Sequence, residues 1–116
     1  MGNYRVAFHL DEGHKARLDL VLGNIGHLLS DLGPEGVEVE LVANAGGITA
    51  FLKADNLHLE QIKSLAAQGV RFCVCANSMR QQALTPDAFL EEVAIVPSGV
   101  GELVKKQALG WAYIRP

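Results

Sequence analysis

The sequence predicts a three-layer α/β/α domain with a five-stranded, mostly parallel sheet, flavodoxin-like in its general layout. Short runs of strand-forming residues alternate along the 116-residue chain with segments whose apolar residues repeat at helical spacing. Glycine follows most of the helical segments, as is typical of helix ends. Strands that alternate with helices form right-handed βαβ units, and such units build a parallel sheet covered on both faces.

The length and composition predict one domain over residues 1–116. Hydrophobic residues make up 49% of the sequence and charged residues 20%, a balance that suits a compact fold with a buried core. The formal net charge of −3 and the aromatic content of 6% argue against a nucleic-acid partner. No apolar run is long enough to span a membrane, and the first residues lack the apolar core of a signal peptide. We therefore expect a cytoplasmic protein with no membrane partner.

The first half of the chain predicts two strands separated by a long helix. These segments are Tyr4–Leu10, Lys15–Leu32 and Val37–Ala43. Glutamates alternate with valines at the start of the second strand, and this polarity predicts a position nearer to the sheet edge than that of the first strand. A short helix carrying Ile48 and Phe51 follows. The next helix is capped by Asp55 or Asn56 and ends at Gly69.

The second half predicts three more strands. The strand after Gly69 combines Val70, Phe72 and Val74 with two cysteines, which is typical of a buried strand. The remaining segments are a helix over 77–82, a short helix starting at 85–87, a strand over 94–96, a helix from the cap Ser98 to Leu109, and a strand over 111–115. No repeat, linker or low-complexity segment divides the chain.

The loops that follow four of the strands predict the position of the functional site. These loops are 9–14, 44–47, 75–78 and 97–101. The carboxyl ends of parallel strands meet at one edge of a sheet, and ligands of open α/β sheets bind there. We therefore expect the chemistry of this protein at that edge.

Cys75 is the candidate catalytic residue of this edge. It ends a strand and directly precedes a helix, whose N-terminus stabilises the thiolate, the reactive form of cysteine. The alternative is that Cys75 only packs, because free cysteine is among the most buried residue types. Cys73 lies in mid-strand and is expected to pack. A disulfide between the two would be strained, because their extended spacing puts the Cα atoms near the upper limit for such a bond.

The same loops supply the candidate ligand-binding residues, which are His9, Asp11, Asn44, Gly46, Gly47, Asn77, Ser78, Ser98 and Gly99. Asn77 and Ser78 are placed to stabilise an anion through backbone and side-chain donors. The glycine-rich loops at 44–47 and 97–101 let a phosphate approach the backbone, although helix capping is the simpler account of Ser98. His9 is either a hydrogen-bonded core histidine or a residue that tunes the neighbouring thiol.

The first loop also contains donor types of a mixed metal site. His9, Asp11, Glu12 and His14 lie on it, and Cys75 would complete the set. These four residues share one flexible turn, whereas metal ligands need a rigid frame. We therefore expect no metal, and no other cofactor is indicated.

Three segments carry a resemblance to a known family. They are HLDE at 9–12, FCVCANSM at 72–79 and VPSGVGELVKKQALGWAYI at 96–114. In this order they resemble the DsrE/DsrF-like family, which includes YchN-type proteins, over essentially the whole chain. The resemblance implies a three-layer α/β/α fold assembled as trimers or hexamers. It also implies that sulfur is relayed as a persulfide on the cysteine matched by Cys75.

Two classes of function follow from these observations. The first is a persulfide carrier or sulfurtransferase that exchanges sulfur with donor and acceptor proteins through Cys75. The second is a non-catalytic regulatory module that binds a nucleotide or another anion at the sheet edge while Cys75 only packs. The pKa of the thiol distinguishes them, because a carrier needs a depressed pKa and a packing cysteine does not.

The terminal strand at 111–115 adds a physical reason to expect a homo-oligomer. It contains the single tryptophan and one of the two tyrosines, and it is expected at the edge of the sheet. An apolar edge strand left in water is an aggregation hazard that proteins usually cover. The alternative is that this strand packs wholly within its own domain, with Trp111 under a helix.

Overall fold

Five strands form one sheet in the computed structural model, which describes residues 3–116. The strands are Tyr4–Leu10 (β1), Val37–Ala43 (β2), Arg71–Cys75 (β3), Val93–Val96 (β4) and Ala112–Ile114 (β5). Their order across the sheet is β4-β3-β2-β1-β5, and every neighbouring pair is parallel. The predicted five-stranded parallel sheet is confirmed.

Helices connect the strands at the places predicted. The α-helices are Lys15–Leu32 (α1), Leu59–Ala67 (α2), Ala76–Gln81 (α3) and Gly99–Ala108 (α4), and two 3₁₀ helices cover Ala45–Phe51 and Pro86–Ala88. Gly33, Gly69 and Gly110 follow α1, α2 and α4 at φ values of 80°, 100° and 90°, the left-handed region that glycine adopts without strain. Within the described residues, no helix combines the length and apolar character needed to cross a membrane.

The strand order explains why the helices form two layers. From β1 to β4 each strand is added on the same side of the previous one, so right-handed crossovers place α1, α2 and α3 on one face. After β4 the chain crosses back over the sheet, because β5 pairs with β1 and forms the opposite edge. This right-handed crossover runs the other way across the sheet, so α4 covers the other face. The result is the predicted α/β/α sandwich, with a strand order that differs from the flavodoxin order 2-1-3-4-5.

The two faces of the sheet bury very different amounts of apolar side chain. The face under α1 and α2 contains the larger core, which includes Phe8, Leu22 and Phe72. The face under α4 has a small core, whose members are Ala7, Val42, Cys73, Val96 and Leu103. Few apolar contacts therefore hold α4 to the sheet.

β2 is the central strand of the sheet, so the prediction that it lies nearer to the edge than β1 is wrong. Glu40 of β2 is only 1% exposed, and its carboxylate lies 2.9 Å from the guanidinium of Arg71 on β3. The polarity of β2 thus reflects a buried ion pair beneath α4, together with Glu38, which is exposed. The alternating glutamates of β2 are also typical of a solvent-facing strand. The sequence does not distinguish the two cases, because Arg71, the partner of Glu40, is distant along the chain.

The start of α2 also differs from the prediction. No side chain caps this helix, whose N-cap residue is His58. The side chain of Asn56 accepts a hydrogen bond from the backbone N–H of His58 at 2.9 Å and donates to the carbonyl of Leu52 at 2.8 Å. Asn56 therefore closes the turn before the helix, and Asp55 is not its cap either.

Candidate functional site

Cys75 lies at the junction of β3 and α3, as predicted. Its Sγ accepts a hydrogen bond from the backbone N–H of Ser78 at 3.5 Å, which makes Cys75 the N-cap of α3. Sulfur here takes the place of the side-chain oxygen that usually caps a helix. Cys75 is 5% exposed. The thiol is thus more enclosed than its strand-exit position suggests, because the next loop covers it.

The N-terminus of α4 supplies that cover. Gly99 is the first residue of α4, and a Cβ atom built on it would lie 3.3 Å from the Cβ of Cys75 and 3.1 Å from the Cβ of Asn44. These distances are shorter than ordinary carbon–carbon contacts, so the absence of a side chain allows the close approach. Ser98 caps α4 through a hydrogen bond that its hydroxyl accepts from the N–H of Gly101 at 3.0 Å. Two helix N-termini therefore converge on one thiol.

These surroundings lower the pKa of the Cys75 thiol. Burial alone would raise the pKa, but hydrogen bonds from the backbone N–H and the hydroxyl of Ser78, and from the backbone N–H groups of Gly99 and Asn77, outweigh it. Because the Ser78 oxygen accepts a hydrogen bond from the N–H of Ala45 at 2.8 Å, its own proton is free to be donated to sulfur. The site thus favours the nucleophilic thiolate.

Ala45 joins the loop after β2 to α3. Its N–H donates to the hydroxyl of Ser78, and its carbonyl accepts from the side-chain amide of Gln82, both at 2.8 Å. Ala45 is held at φ 49°, a left-handed conformation that residues with a side chain rarely adopt. The two contacts therefore stabilise a strained loop directly beside the thiol.

Three polar side chains border the site on the β1 side. His9 Nε2 lies 2.9 Å from Asn44 Oδ1, and His9 Nδ1 lies 2.7 Å from the hydroxyl oxygen of Tyr113. An amide oxygen can only accept, so Nε2 donates and Nδ1 accepts the Tyr113 proton. His9 is thus a hydrogen-bonded histidine. Of the three hydrogen-bonded side chains, that of Asn44 lies next to the start of α4.

Other predicted ligand-binding residues lie along the same edge. Gly47 is buried, its N–H donates to the carbonyl of Asn44 at 2.9 Å, and an added Cβ would lie 2.1 Å from the carbonyl oxygen of Leu10. A Cβ atom built on Gly46 would lie 3.6 to 3.8 Å from backbone atoms of residues 11–13. The carboxylate of Asp11 pairs with the guanidinium of Arg115 at 2.9 Å. The backbone N–H of Gly47 and the carboxylate of Asp11 therefore already have partners within the protein.

Cys73 lies on the same face of β3 as Cys75, but its surroundings disfavour the thiolate. It is fully buried, and its Sγ donates a hydrogen bond to the carboxylate of Glu40 at 3.5 Å. Burial and the negative charge of Glu40 raise the pKa of Cys73 to about 12. Cys73 therefore remains a neutral thiol at physiological pH.

Glu40, Cys73 and Glu102 form the one group of metal-type donors that residues 3–116 bring together, with donor atoms within 4.8 Å of one another. Arg71 and Lys106 already lie against both carboxylates, at distances between 2.9 and 4.0 Å. The two positive and two negative charges balance without an ion. In this part of the chain, the loop donors considered from the sequence do not gather into such a group.

Sequence reasoning missed Tyr113 and Glu40 as neighbours of the site. Tyr113 is separated from His9 by 104 residues and reaches it because β5 pairs with β1. Glu40 carried a weak signal, since a glutamate within a strand covered on both faces has to be paired. The need for a partner can be inferred only when the strand order shows that β2 is central.

The fold and site define a class of protein: a parallel α/β/α sandwich with one activated cysteine at the carboxyl edge of its sheet. The chain belongs to the DsrE/DsrF-like family, whose model matches residues 6–116. The family resemblance seen in the sequence is confirmed. No curated protein matches the chain.

Two solved structures are similar to this chain. MTH1491, a protein of unknown function from Methanobacterium thermoautotrophicum, is 42% identical with a TM-score of 0.92, over 98% of this chain and 100% of that one. The ychN protein from Escherichia coli is 14% identical with a TM-score of 0.80, over 97% of this chain and 99% of that one. The first similarity supports the family, and the second supports the fold alone.

Proposed function

We propose that this protein handles sulfur and carries a persulfide on Cys75 in sulfur relay or sulfurtransferase chemistry. The observation that carries the proposal is the convergence of the α3 and α4 N-termini on Cys75, which lowers the pKa of its thiol. Membership in the DsrE/DsrF-like family supports the same class of chemistry. Cys73 does not compete, because its pKa is raised to about 12.

The reaction requires a thiolate that both attacks and leaves. Cys75 thiolate attacks the outer sulfur of a donor persulfide, a sulfur–sulfur bond forms at Cys75, and the bond within the donor breaks. The electron pair leaves with the donor sulfur as a thiolate. An acceptor thiolate then repeats the exchange on the Cys75 persulfide, so the relay consumes no oxidant or reductant.

The residues around Cys75 have distinct parts in this proposal. The backbone N–H groups of Asn77, Ser78 and Gly99 stabilise negative charge on Cys75 sulfur before attack and again when it leaves. His9 and Asn44 hold the loop after β2 beside the start of α4.

Sulfur loading tests the proposal directly. The purified protein is incubated with glutathione persulfide, and its intact mass is measured before and after reduction with dithiothreitol. The wild type and Cys73→Ser are expected to gain a reducible sulfur atom, whereas Cys75→Ser gains none and keeps its fold. Cys73→Ser is the matched control, since it removes a thiol from the same strand. If the folded wild type takes up no sulfur, the proposal fails and the anion-binding alternative is favoured.

Alkylation at neutral pH gives a second prediction from the same contrast. Iodoacetamide reacts with thiolates, so it is expected to modify Cys75 well before Cys73. Peptide mass mapping at successive times measures the order. Preferential modification of Cys73 in the folded protein would contradict the assignment of the reactive thiol.

The proposal includes a homo-oligomer, a trimer or a hexamer, working with donor and acceptor proteins in the cytoplasm. Both cysteines are free, which suits a reducing compartment. Tyr113 and Ile114 on β5 are each 41% exposed, and Val100 and Val104 on α4 are 61% and 65% exposed. A neighbouring subunit on α4 would cover these valines and lie next to Gly99, so it would also shield the thiol.

A further inference from the structure

Four charged side chains join α4 to the sheet on the face that carries Cys75. Glu40 of β2 and Arg71 of β3 approach to 2.9 Å, and the same Arg71 nitrogen lies 3.4 Å from Glu102 of α4. Lys106, one turn further along α4, lies 3.8 Å from Glu102 and 4.0 Å from Glu40. The network therefore links two strands to one helix.

The centre of this network is buried. Glu40 Oε1 is inaccessible to solvent and has no hydrogen-bond partner, while Glu40 Oε2 receives Arg71 and the thiol of Cys73. Lys106 is further confined, because its Nζ lies 4.7 Å from the centre of the Trp111 ring. Buried ion pairs of this kind contribute little net stability, since desolvation offsets their attraction, but they restrict the geometry of the elements that carry them.

α4 has few other contacts that fix its position. Leu103 is its one buried large apolar side chain, whereas Val100 and Val104 face outward. The core beneath it is small. Because Gly99 is the first residue of α4, any sliding or rotation of the helix moves the Gly99 N–H relative to Cys75.

We propose that Glu40, acting with Arg71, Glu102 and Lys106, is a positioning residue that holds α4 where its N-terminus, at Gly99, packs directly against Cys75. The inference deepens the proposed function, on which its biological meaning rests, because it names the residues that prepare the thiol for attack. Glu40 touches neither sulfur donor nor acceptor in this account. It acts through the helix.

Charge and position have opposite effects on Cys75, which makes the inference testable. Removing the negative charge of Glu40 favours a nearby thiolate by Coulomb's law and would lower the thiol pKa. Moving the N-terminus of α4 away from Cys75 removes the stabilisation that a helix N-terminus gives to a thiolate, and this raises the thiol pKa. A role in packing alone changes stability and leaves the thiol pKa unchanged.

The experiment measures the rate of Cys75 alkylation by iodoacetamide as a function of pH in the full chain. Glu40→Gln is expected to raise the midpoint of the profile and to slow the reaction at neutral pH by about threefold to tenfold, the size of the effect that a helix N-terminus has on a nearby negative charge. Glu38→Gln is the matched control, because it removes a carboxylate from the same face of β2 at an exposed position. Its profile is expected to match that of the wild type.

A second variant and a spectroscopic readout keep the test decisive. Glu102→Gln removes the carboxylate that α4 contributes to the network, and it is also expected to slow alkylation. If Glu40→Gln does not fold, Glu102→Gln provides the test. The amide signal of Gly99 in nuclear magnetic resonance spectra should follow the Cys75 titration in the wild type and lose this response in the variants. Profiles that are unchanged or shifted to lower pH in the folded variants overturn the inference. No persulfide enters these assays, so a failure of sulfur loading leaves their result intact.

Discussion

Cys73 and Cys75 show how strongly the chemistry of a thiol depends on the few atoms around it. The two side chains lie on the same face of β3, separated by one residue. Backbone N–H groups from two helices lower the pKa of Cys75, whereas burial beside the Glu40 carboxylate raises the pKa of Cys73 to about 12. Two cysteines of one strand thus have thiol pKa values shifted in opposite directions, because N–H groups surround one sulfur and a carboxylate lies beside the other.

Gly99→Ala tests the close approach of α4 to the thiol. The added methyl group would contact the Cβ atoms of Asn44 and Cys75 at 3.1 and 3.3 Å, closer than ordinary contacts, and we expect the start of α4 to move outward to relieve them. We expect a higher thiol pKa and an alkylation rate at neutral pH reduced by about threefold to tenfold, as for the loss of one hydrogen bond. Gln107→Ala, at an exposed position of α4, is the control. Equal rates in the two variants would show that Gly99 is not needed at the site.

Glu40 predicts a pH dependence of stability. Burial, followed by the neighbouring Glu102 carboxylate, raises the pKa of Glu40 above 4.5, and Lys106 opposes this shift. The folded chain therefore binds this proton more tightly than the unfolded chain, and Glu40 makes the protein less stable as pH rises from about 4.5 towards neutrality. Glu40→Gln lacks this contribution, so its stability relative to the wild type should increase over that range.

Urea unfolding at several pH values between pH 4.5 and pH 8 measures this difference. Glu38→Gln should show no such trend, since Glu38 is exposed. A stability difference between Glu40→Gln and the wild type that stays constant, or that falls with rising pH, contradicts the expectation.

At the scale of elements, two glycines inside α1 are positions at which substitution should stabilise the protein. Gly23 and Gly26 lie in the interior of this helix, and a Cβ atom built on either would meet no other group within 4 Å. Replacing each by alanine should raise the free energy of unfolding by about 0.5–1 kcal/mol, because glycine loses more backbone freedom in a helix. Gly47→Ala is the opposing control, since its Cβ would clash with the carbonyl of Leu10. Destabilisation by Gly23→Ala and Gly26→Ala would mean that a partner covers this side of α1.

The elements and the position of Cys75 at a strand–helix junction were predictable because their signals are local. The spacing of apolar residues marks α1, and a strand that runs directly into a helix marks Cys75. The central position of β2 and the pairing of Glu40 were not predictable, because both depend on the order in which distant strands assemble. The contact between His9 and Tyr113 escaped for the same reason. Local patterns therefore predicted where Cys75 lies, whereas the strand order determines which residues surround it.

At the scale of the whole molecule, the exposed apolar side chains on α4 and β5 predict self-association. Light scattering at micromolar concentration should give a mass of three or six chains of 12.5 kDa. Val104→Lys places a charge on the exposed stripe of α4 and should shift the protein towards single chains, whereas Lys63→Ala on α2 should not. A wild-type mass of one chain would contradict the oligomer.

The path of the chain through α4 bears on how the protein is made. α4 carries the chain from β4 at one edge of the sheet to β5 at the other, and β5 then pairs Ala112 with Val6 of β1. Contacts between residues so far apart in sequence form slowly, and a ribosome delivers α4 and β5 after Cys75. The emerging chain thus contains Cys75 before the N-terminus of α4 can pack against it. If Cys75 carries sulfur as proposed, its surroundings are complete only when synthesis has passed this crossover and the final strand has docked, so unfinished chains would not yet present the prepared thiol.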